Sequence, residues 1–139
     1  MRELRHFPGS EQTIEIVLDD ADTGGLLALF RLTMPPGAGA PPHRHGREAE
    51  TIVVLEGDLW AEVDGVERTL RRGEAIHLPQ GSLHAFRSDA GAVVDVIATP
   101  AGLEDFFRVA CPLEPDASPP PEEDVRAALV RAGLDFSGT

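Results

Sequence analysis

The chain contains no lysine, no asparagine and no tyrosine. Without lysine there is no amine to form a Schiff base with a carbonyl substrate, and without tyrosine there is no phenol to act as catalytic acid, base or nucleophile. Cysteine occurs once, at Cys111, so no internal disulfide can form and a reducing compartment is expected. That cysteine stands in Val109-Ala-Cys-Pro, apart from any other candidate catalytic group, and reads as a small buried hydrophobe. No apolar run approaches the roughly 20 residues that cross a bilayer as a helix. The first residues, Met1-Arg-Glu-Leu-Arg-His-Phe-Pro8, are too polar for a secretory signal, and a cytoplasmic location is expected.

Positive charge is scarce. Twelve basic residues, all of them Arg, stand against 24 acidic ones, a formal net charge of −12. A surface this acidic repels phosphate backbones and anionic lipid, which argues against nucleic-acid and membrane partners; a small-molecule substrate is expected instead. The lack of Lys and Asn beside abundant Ala, Gly, Pro and Arg points to a GC-rich bacterial genome. A length of 139 residues with 42% hydrophobic content suits one globular domain with a real core.

Four of the five histidines, His43, His45, His77 and His84, fall in two short segments that begin with glycine. The first reads Gly37-Ala-Gly-Ala-Pro-Pro-His43-Arg-His45-Gly-Arg-Glu-Ala-Glu50-Thr-Ile-Val-Val-Leu-Glu-Gly57, and the second Gly73-Glu-Ala-Ile-His-Leu-Pro79-Gln-Gly81-Ser-Leu-His84. On an extended strand alternate side chains share a face, so His43 and His45 point the same way and Arg44 the other. Glu50 lies an odd number of residues beyond His45, which a regular strand would place on the opposite face. The Gly46-Arg47 step is therefore expected to hold a bend or bulge that resets the parity. His84 and Phe86 alternate on one face, with Ser88 following them inward. Three neutral imidazoles and one carboxylate suit a divalent first-row metal and leave room for water or substrate. We expect one such ion per chain (Fe, Mn, Ni, Cu or Zn), held by His43, His45, Glu50 and His84.

Short strands separated by turns dominate the rest. Glu11 to Leu18 alternates with Ile14, Ile16 and Leu18 on one face, and Leu26 to Met34 is a second apolar strand, ended by Pro35-Pro36-Gly37. Asp58 to Val63, Gly73 to Pro79, Ser82 to Ser88 and Ala92 to Ala98 supply further strands, and Asp64-Gly65 is a hairpin signal. The pattern predicts an all-β fold, an antiparallel barrel or sandwich over residues 1–111 that includes the N-terminal strands. Residues 112–139 differ: five prolines between Pro112 and Pro121 form a rigid linker, and Glu122 to Ala132 carries Val125, Ala128, Leu129 and Ala132 at helical spacing, with Gly133 placed to end the helix. This helix should pack on the barrel or on a partner subunit, extended by Leu134 and Phe136.

The two glycine-led segments resemble the signature motifs of the cupin superfamily, G-x5-H-x-H-x4-E-x6-G and G-x5-P-x-G-x2-H. The departure is Ser88, where the second motif ends in Asn. Pro35-Pro-Gly-Ala-Gly-Ala-Pro-Pro-His-Arg-His45, Val54-Leu-Glu-Gly57 and Thr99-Pro-Ala-Gly-Leu-Glu-Asp-Phe-Phe107 are similar to small single-domain bacterial cupins of the flavonol dioxygenase-like (quercetinase-like) group. The likeness covers roughly Leu26 to Gly133. It implies a double-stranded β-helix, or jelly roll, with a short C-terminal helix, and a metal bound by His43, His45, Glu50 and His84. It also implies a dioxygenase in which the metal holds an enol or phenol oxygen of a small substrate, O₂ reacts close by, and Glu50 serves as base. Phe86, Ile52, Val54, Phe30 and Met34 are candidates for an apolar wall. His77 either faces the cavity or is a hydrogen-bonded structural residue, and Arg44 and Arg47 are surface partners for carboxylates. A non-redox isomerase or lyase, and a non-catalytic metal or small-molecule binding cupin, are the alternatives. A homodimer is expected, because small cupins commonly pair through sheets or exchanged strands and the Ile14-Ile16-Leu18 strand offers an edge.

Overall fold

Apolar and polar residues alternate at period two through most of the chain, so each strand they form buries one face. The computed structural model describes residues 3–138. In chain order these form β1 (Glu3–His6), β2 (Thr13–Leu18), α1 (Asp20–Thr23), β3 (Ala28–Met34), β4 (Gly39–His45), β5 (Ala49–Gly57), β6 (Leu59–Val63), β7 (Val66–Leu70), β8 (Ala75–Leu78), β9 (His84–Arg87), β10 (Ala92–Thr99), α2 (Glu104–Ala110), α3 (Glu122–Ala132) and β11 (Leu134–Asp135). The strands build the expected all-β barrel from two sheets, one ordered β1-β2-β3-β10-β5-β8 and the other β11-β4-β9-β6-β7. Their facing sides enclose Ile14, Ile16, Phe30, Ile52, Val54 and Val94 from the larger sheet and Leu59, Ala61 and Leu70 from the smaller. Each large side chain buried in this way contributes about 1.5–3 kcal/mol.

Turn chemistry sets the strand ends. Asp64 and Gly65 both adopt left-handed backbone, φ 48° and 85°, and close a two-residue hairpin with Val63 opposite Val66. Gly57 ends β5 at φ 78°, where a Cβ would clash with the Gly91 carbonyl oxygen, so only glycine fits.

The Ile14-Ile16-Leu18 strand is not the free edge expected from its pattern. β1 pairs along it from Glu3 opposite Ile16 to His6 opposite Thr13, so the chain covers that edge itself, and the edge argument for a homodimer falls away. Nothing in the alternation of Glu3-Leu-Arg-His marks a strand. What holds it is distant: the Arg5 guanidinium donates to the carbonyls of Arg108 and Cys111 at 3.1 and 2.7 Å.

Residues 112–121 carry no helix or strand, and α3 covers the predicted span. Gly133 ends α3, its N–H reaching the carbonyls of Leu129 and Val130. α3 packs on α2 of the same chain. α2 itself was not anticipated, being seven residues long with no side-chain cap and two adjacent phenylalanines. Its fully buried Glu104 accepts from the N–H groups of Gly102 (2.6 Å) and Asp20 (2.7 Å), which fixes α2 at the end of the barrel. There Phe107 meets Phe30 edge to face at 5.2 Å and Phe7 at 6.3 Å. Cys111 is buried and burial pushes its thiol up to about 12, leaving it inert as expected.

Candidate metal centre

His43 and His45 close β4, His84 opens β9, and Glu50 is the second residue of β5. β4 and β9 are neighbours in the smaller sheet, with His43 directly opposite His84, whereas β5 belongs to the larger sheet. The parity reset therefore comes from a change of sheet. The chain leaves one sheet at His45, bends through Gly46-Arg47-Glu48 and enters the other at Ala49. Glu50 thus meets the histidines from across the barrel.

The four side chains are buried, and their ligand atoms lie within 4.8 Å of one another. His45 Nε2 is 2.9 Å and His84 Nε2 3.5 Å from Glu50 Oε1, while His43 Nε2 is 3.0 Å from His45 Nε2. Each ring is anchored through Nδ1: His43 to the Pro41 carbonyl at 2.8 Å, His45 to Glu48 Oε1 at 2.7 Å, and His84 to Ser82 Oγ at 3.3 Å. A carbonyl and a carboxylate only accept, so Nδ1 of His43 and of His45 carries the proton and the neutral ring keeps its lone pair on Nε2. The Ser82 hydroxyl donates to the Pro79 carbonyl at 2.7 Å, which leaves its oxygen free to accept from His84. Three Nε2 lone pairs and a carboxylate oxygen therefore converge. Two lone pairs 3.0 Å apart repel unless a proton or cation lies between them, and His84 Nε2 is buried with no hydrogen-bond partner. Donor set, tautomers and orphaned nitrogen all fit a divalent ion, which the cluster can hold.

The electrostatics of the metal-free site lead the same way. Burial pulls His43 down to about 4. Burial also disfavours charge on His45, but its hydrogen bonds to the Glu48 and Glu50 carboxylates outweigh that and hold it at about 9. For Glu50, burial acts to raise the pKa, yet the hydrogen bond from His45 at 2.9 Å and the His84 ring beside it at 3.5 Å prevail and set it at about 2. At neutral pH the cluster holds a buried imidazolium against a carboxylate, a proton standing where a cation would bind.

Glu48 is the residue that the spacing did not single out. It is 4% exposed and orients His45, as carboxylates behind metal-binding histidines do. The one signal was its place three residues after His45, indistinct among so many acidic residues. His77, by contrast, is exposed on the outside of β8 and pairs with Thr51 Oγ1 at 3.0 Å, a structural role. Ser88 is buried, its hydroxyl donating to the Asp58 carbonyl at 2.7 Å, while its backbone pairs with Gly37 and Ala38. The departure from the motif thus falls on a strand junction and touches no ligand. Arg44 donates to the Gly81 carbonyl at 2.7 Å, and Arg47 packs by Gly133.

A cavity of about 230 Å³ opens on the cluster, lined there by His43, His45 and Glu50. Of the expected wall residues Phe30, Ile52 and Phe86 line it; Val54 and Met34 belong to the core instead. Further wall comes from Phe7, from Phe106 and Phe107 of α2, and from Leu134 and Phe136. β11 pairs with β4, Leu134 opposite His45, and this lays the Phe136 ring on His43 at 5.0 Å, with 21° between the planes.

Comparison with known proteins places these features. The Cupin_2 family, a cupin domain, matches residues 30–100, just over half of the chain. The quercetin 2,3-dioxygenase of Bacillus subtilis (strain 168) is 30% identical over 99 residues, which cover 70% of this chain and 29% of that protein. The mannose-1-phosphate guanylyltransferase of Escherichia coli (strain K12) is 30% identical over 84 residues, covering 60% of this chain and 18% of that protein. The chain thus spans less than a third of either relative. Among solved structures, an RmlC-like cupin from Shewanella frigidimarina NCIMB 400 superposes with a TM-score of 0.65 at 23% identity, over 76% of this chain and 89% of the other. That likeness is one of fold, and it identifies the two facing sheets as a jelly roll.

Proposed function

The chain belongs to the cupin family, and on that premise we propose that it is a metal-dependent, dioxygenase-like enzyme acting on a small substrate with an enolic or phenolic oxygen. The observation that carries this reading is the apolar, aromatic-walled cavity that ends on His43, His45 and Glu50. These residues and His84 are the proposed ligands of one divalent ion per chain, drawn from Fe, Mn, Ni, Cu and Zn. Such an ion supplies Lewis acidity that acidifies the substrate hydroxyl and, where it is redox-active, reactivity toward O₂.

The chain's own residues do the rest. Glu48 holds the His45 ring in the tautomer that presents Nε2. Glu50 is the one carboxylate among the described residues that line the cavity, and it takes the substrate's proton. The phenylalanine walls keep water from the deprotonated substrate. The test is O₂ uptake by protein loaded in turn with Fe(II), Mn(II), Ni(II) or Cu(II), across flavonols, catechols and diketones. Stoichiometric O₂ consumption with loss of substrate is expected; none with any metal refutes the reading. A null result would favour a non-redox isomerase or lyase, or a non-catalytic binding cupin.

We also propose a homodimer, supported by Leu4 and Val66, which are exposed on the edge strands β1 and β7. A cytoplasmic setting is proposed from the single free cysteine. No helix among the described residues is long and apolar enough to cross a membrane, and the net charge of −12 argues against a nucleic-acid partner.

A further inference from the structure

Gln12 precedes β2 in phase with the inward-facing Ile14 and Ile16, and it is the polar residue of that row. It is 7% exposed. Its backbone is committed: the N–H donates to Ser10 Oγ at 3.0 Å and the carbonyl accepts from the Phe7 N–H at 3.0 Å. Its side-chain amide has no hydrogen-bond partner among the described residues. Nor is that amide sealed in: His84 Nε2 is the one wholly buried, unpartnered side-chain atom among the described residues, so the Gln12 amide opens onto the cavity that Gln12 lines. A buried amide left unpaired is costly, and such groups are retained where something supplies the missing partner.

The place of Gln12 indicates what that partner is. β2 stands three strands from β5 in the order β2-β3-β10-β5, and the register sets the two diagonally: Thr13, next to Gln12, lies opposite Thr33, whereas Glu50 reaches β3 through Ala98 at Ala28, roughly 20–25 Å between backbones at the usual strand spacing and rise. Gln12 and the histidine–glutamate cluster therefore occupy opposite sides of one cavity, and side chains reaching in from both shorten the gap to the length of a two-ring molecule. The rings of Phe30, Phe86 and Phe107 stand among the walls, suited to a flat apolar body. No Arg is among the lining residues, so a charged group at the Gln12 end would find no counter-ion, whereas an amide offers one donor and one acceptor to a neutral hydroxyl or carbonyl.

We propose that Gln12 is a substrate-positioning residue. It hydrogen-bonds a second, neutral oxygen of a flat, mostly apolar two-ring molecule whose first oxygen meets the His43, His45 and Glu50 end. This rests on the cavity being the substrate site and not on the reaction carried out there.

The test uses two probes, 2-naphthol and 2,6-dihydroxynaphthalene, titrated calorimetrically into the full-length zinc-loaded protein and its Gln12→Leu and Gln12→Met variants. The wild type should bind the diol about five- to tenfold more tightly than the mono-ol, the worth of one buried neutral hydrogen bond. In both variants that ratio should fall to about 1 through weaker diol binding. The variants should also melt at or above the wild-type temperature, since an apolar side chain replaces an unpaired amide. A wild-type ratio near 1, the same ratio in the variants, no binding of either probe to the wild type, or a clear drop in melting temperature in both variants would each overturn the proposal. The last would mean that the amide serves the fold. Absence of O₂ uptake with every metal would refute the oxygenase reading and leave the binding ratio standing. An unchanged ratio in a protein that does consume O₂ would remove Gln12 alone.

Discussion

Replacing Glu48 with Gln keeps the shape of the side chain behind His45 and removes its charge. Glu48 Oε1 accepts the His45 Nδ1 proton at 2.7 Å, with both side chains at most 5% exposed, so the hydrogen bond is charge-assisted and shielded from water. Loss of such a partner lowers metal affinity about 10- to 100-fold, roughly 1.4–2.8 kcal/mol. The loss will not be uniform in pH. In the wild type a proton held on His45 at about 9 must leave when a metal binds, and at pH 7.5 that competition weakens apparent affinity by a factor of about 30. Removing the Glu48 charge lowers the pKa of His45 and relieves part of the competition. The two effects oppose each other near neutrality and separate above pH 9, where wild-type His45 is already neutral. Zinc affinity measured against a competing fluorescent chelator should therefore differ little between wild type and Glu48→Gln at pH 7, and by the full factor at about pH 9.5. Calorimetry in two buffers of different ionisation enthalpy should find close to one proton released per zinc by the wild type at pH 7.5, and fewer by the variant. Equal affinities at pH 9.5, or no proton release by the wild type, would refute the role assigned to Glu48.

The metal-free protein should be most stable near pH 6.5. His45, raised to about 9, contributes stability that is complete below its unfolded pKa near 6.5 and lost as pH rises through 9. His43, lowered to about 4, contributes stability that is complete above 6.5 and lost as pH falls through 4. Thermal melts from pH 4 to 9.5 should fall on both sides, and metal loading should remove the alkaline decline; a flat metal-free profile from 6.5 to 9 contradicts the assignment. Glu50→Gln should lower turnover far more than metal content, since an amide coordinates weakly but takes up no proton; a variant as active as wild type rules out Glu50 as base. The His43→Ala/His84→Ala double variant should lose its metal by elemental analysis yet keep its far-ultraviolet circular dichroism, because the core is apolar. Light scattering at micromolar protein should give twice the chain mass of 14.9 kDa; the chain mass alone would exclude the homodimer.

The proposed ligands were legible because such a cluster demands short-range geometry. His43-x-His45 on a strand and Pro79-x-Gly81-x2-His84 after a turn leave few other ways to converge, and α3 was legible for a similar local reason, its period and its terminal Gly133. Glu50 was half legible. Its odd offset required a reset of parity, but a bulge and a change of sheet have the same local signature, and pairing of β5 with β10 and β8 decides between them. Glu48 was hidden because its burial arises only once the bend folds back on His45. β1 was hidden because its anchors, the Arg108 and Cys111 carbonyls, lie more than a hundred residues away in the chain.

The same distinction bears on how far similarity to other cupins reaches. The clustered side chains come from β4, β5 and β9, all inside the matched residues 30–100. Much of the cavity does not: Phe7 and Gln12 precede that span, while Phe106, Phe107, Leu134 and Phe136 follow it. These residues reach the cavity through contacts that depend on the two ends of the chain. β1 is tied to the end of α2 by Arg5, α2 is held by Glu104, and β11 is paired to β4 beside the histidines. A chain that keeps the cluster while changing its ends would place the same candidate ligands at the end of a differently shaped cavity. Similarity over the barrel thus bears on the chemistry available at the centre, and in the proposed reading the choice of substrate rests with the terminal segments, where Gln12 supplies the polar group opposite the cluster.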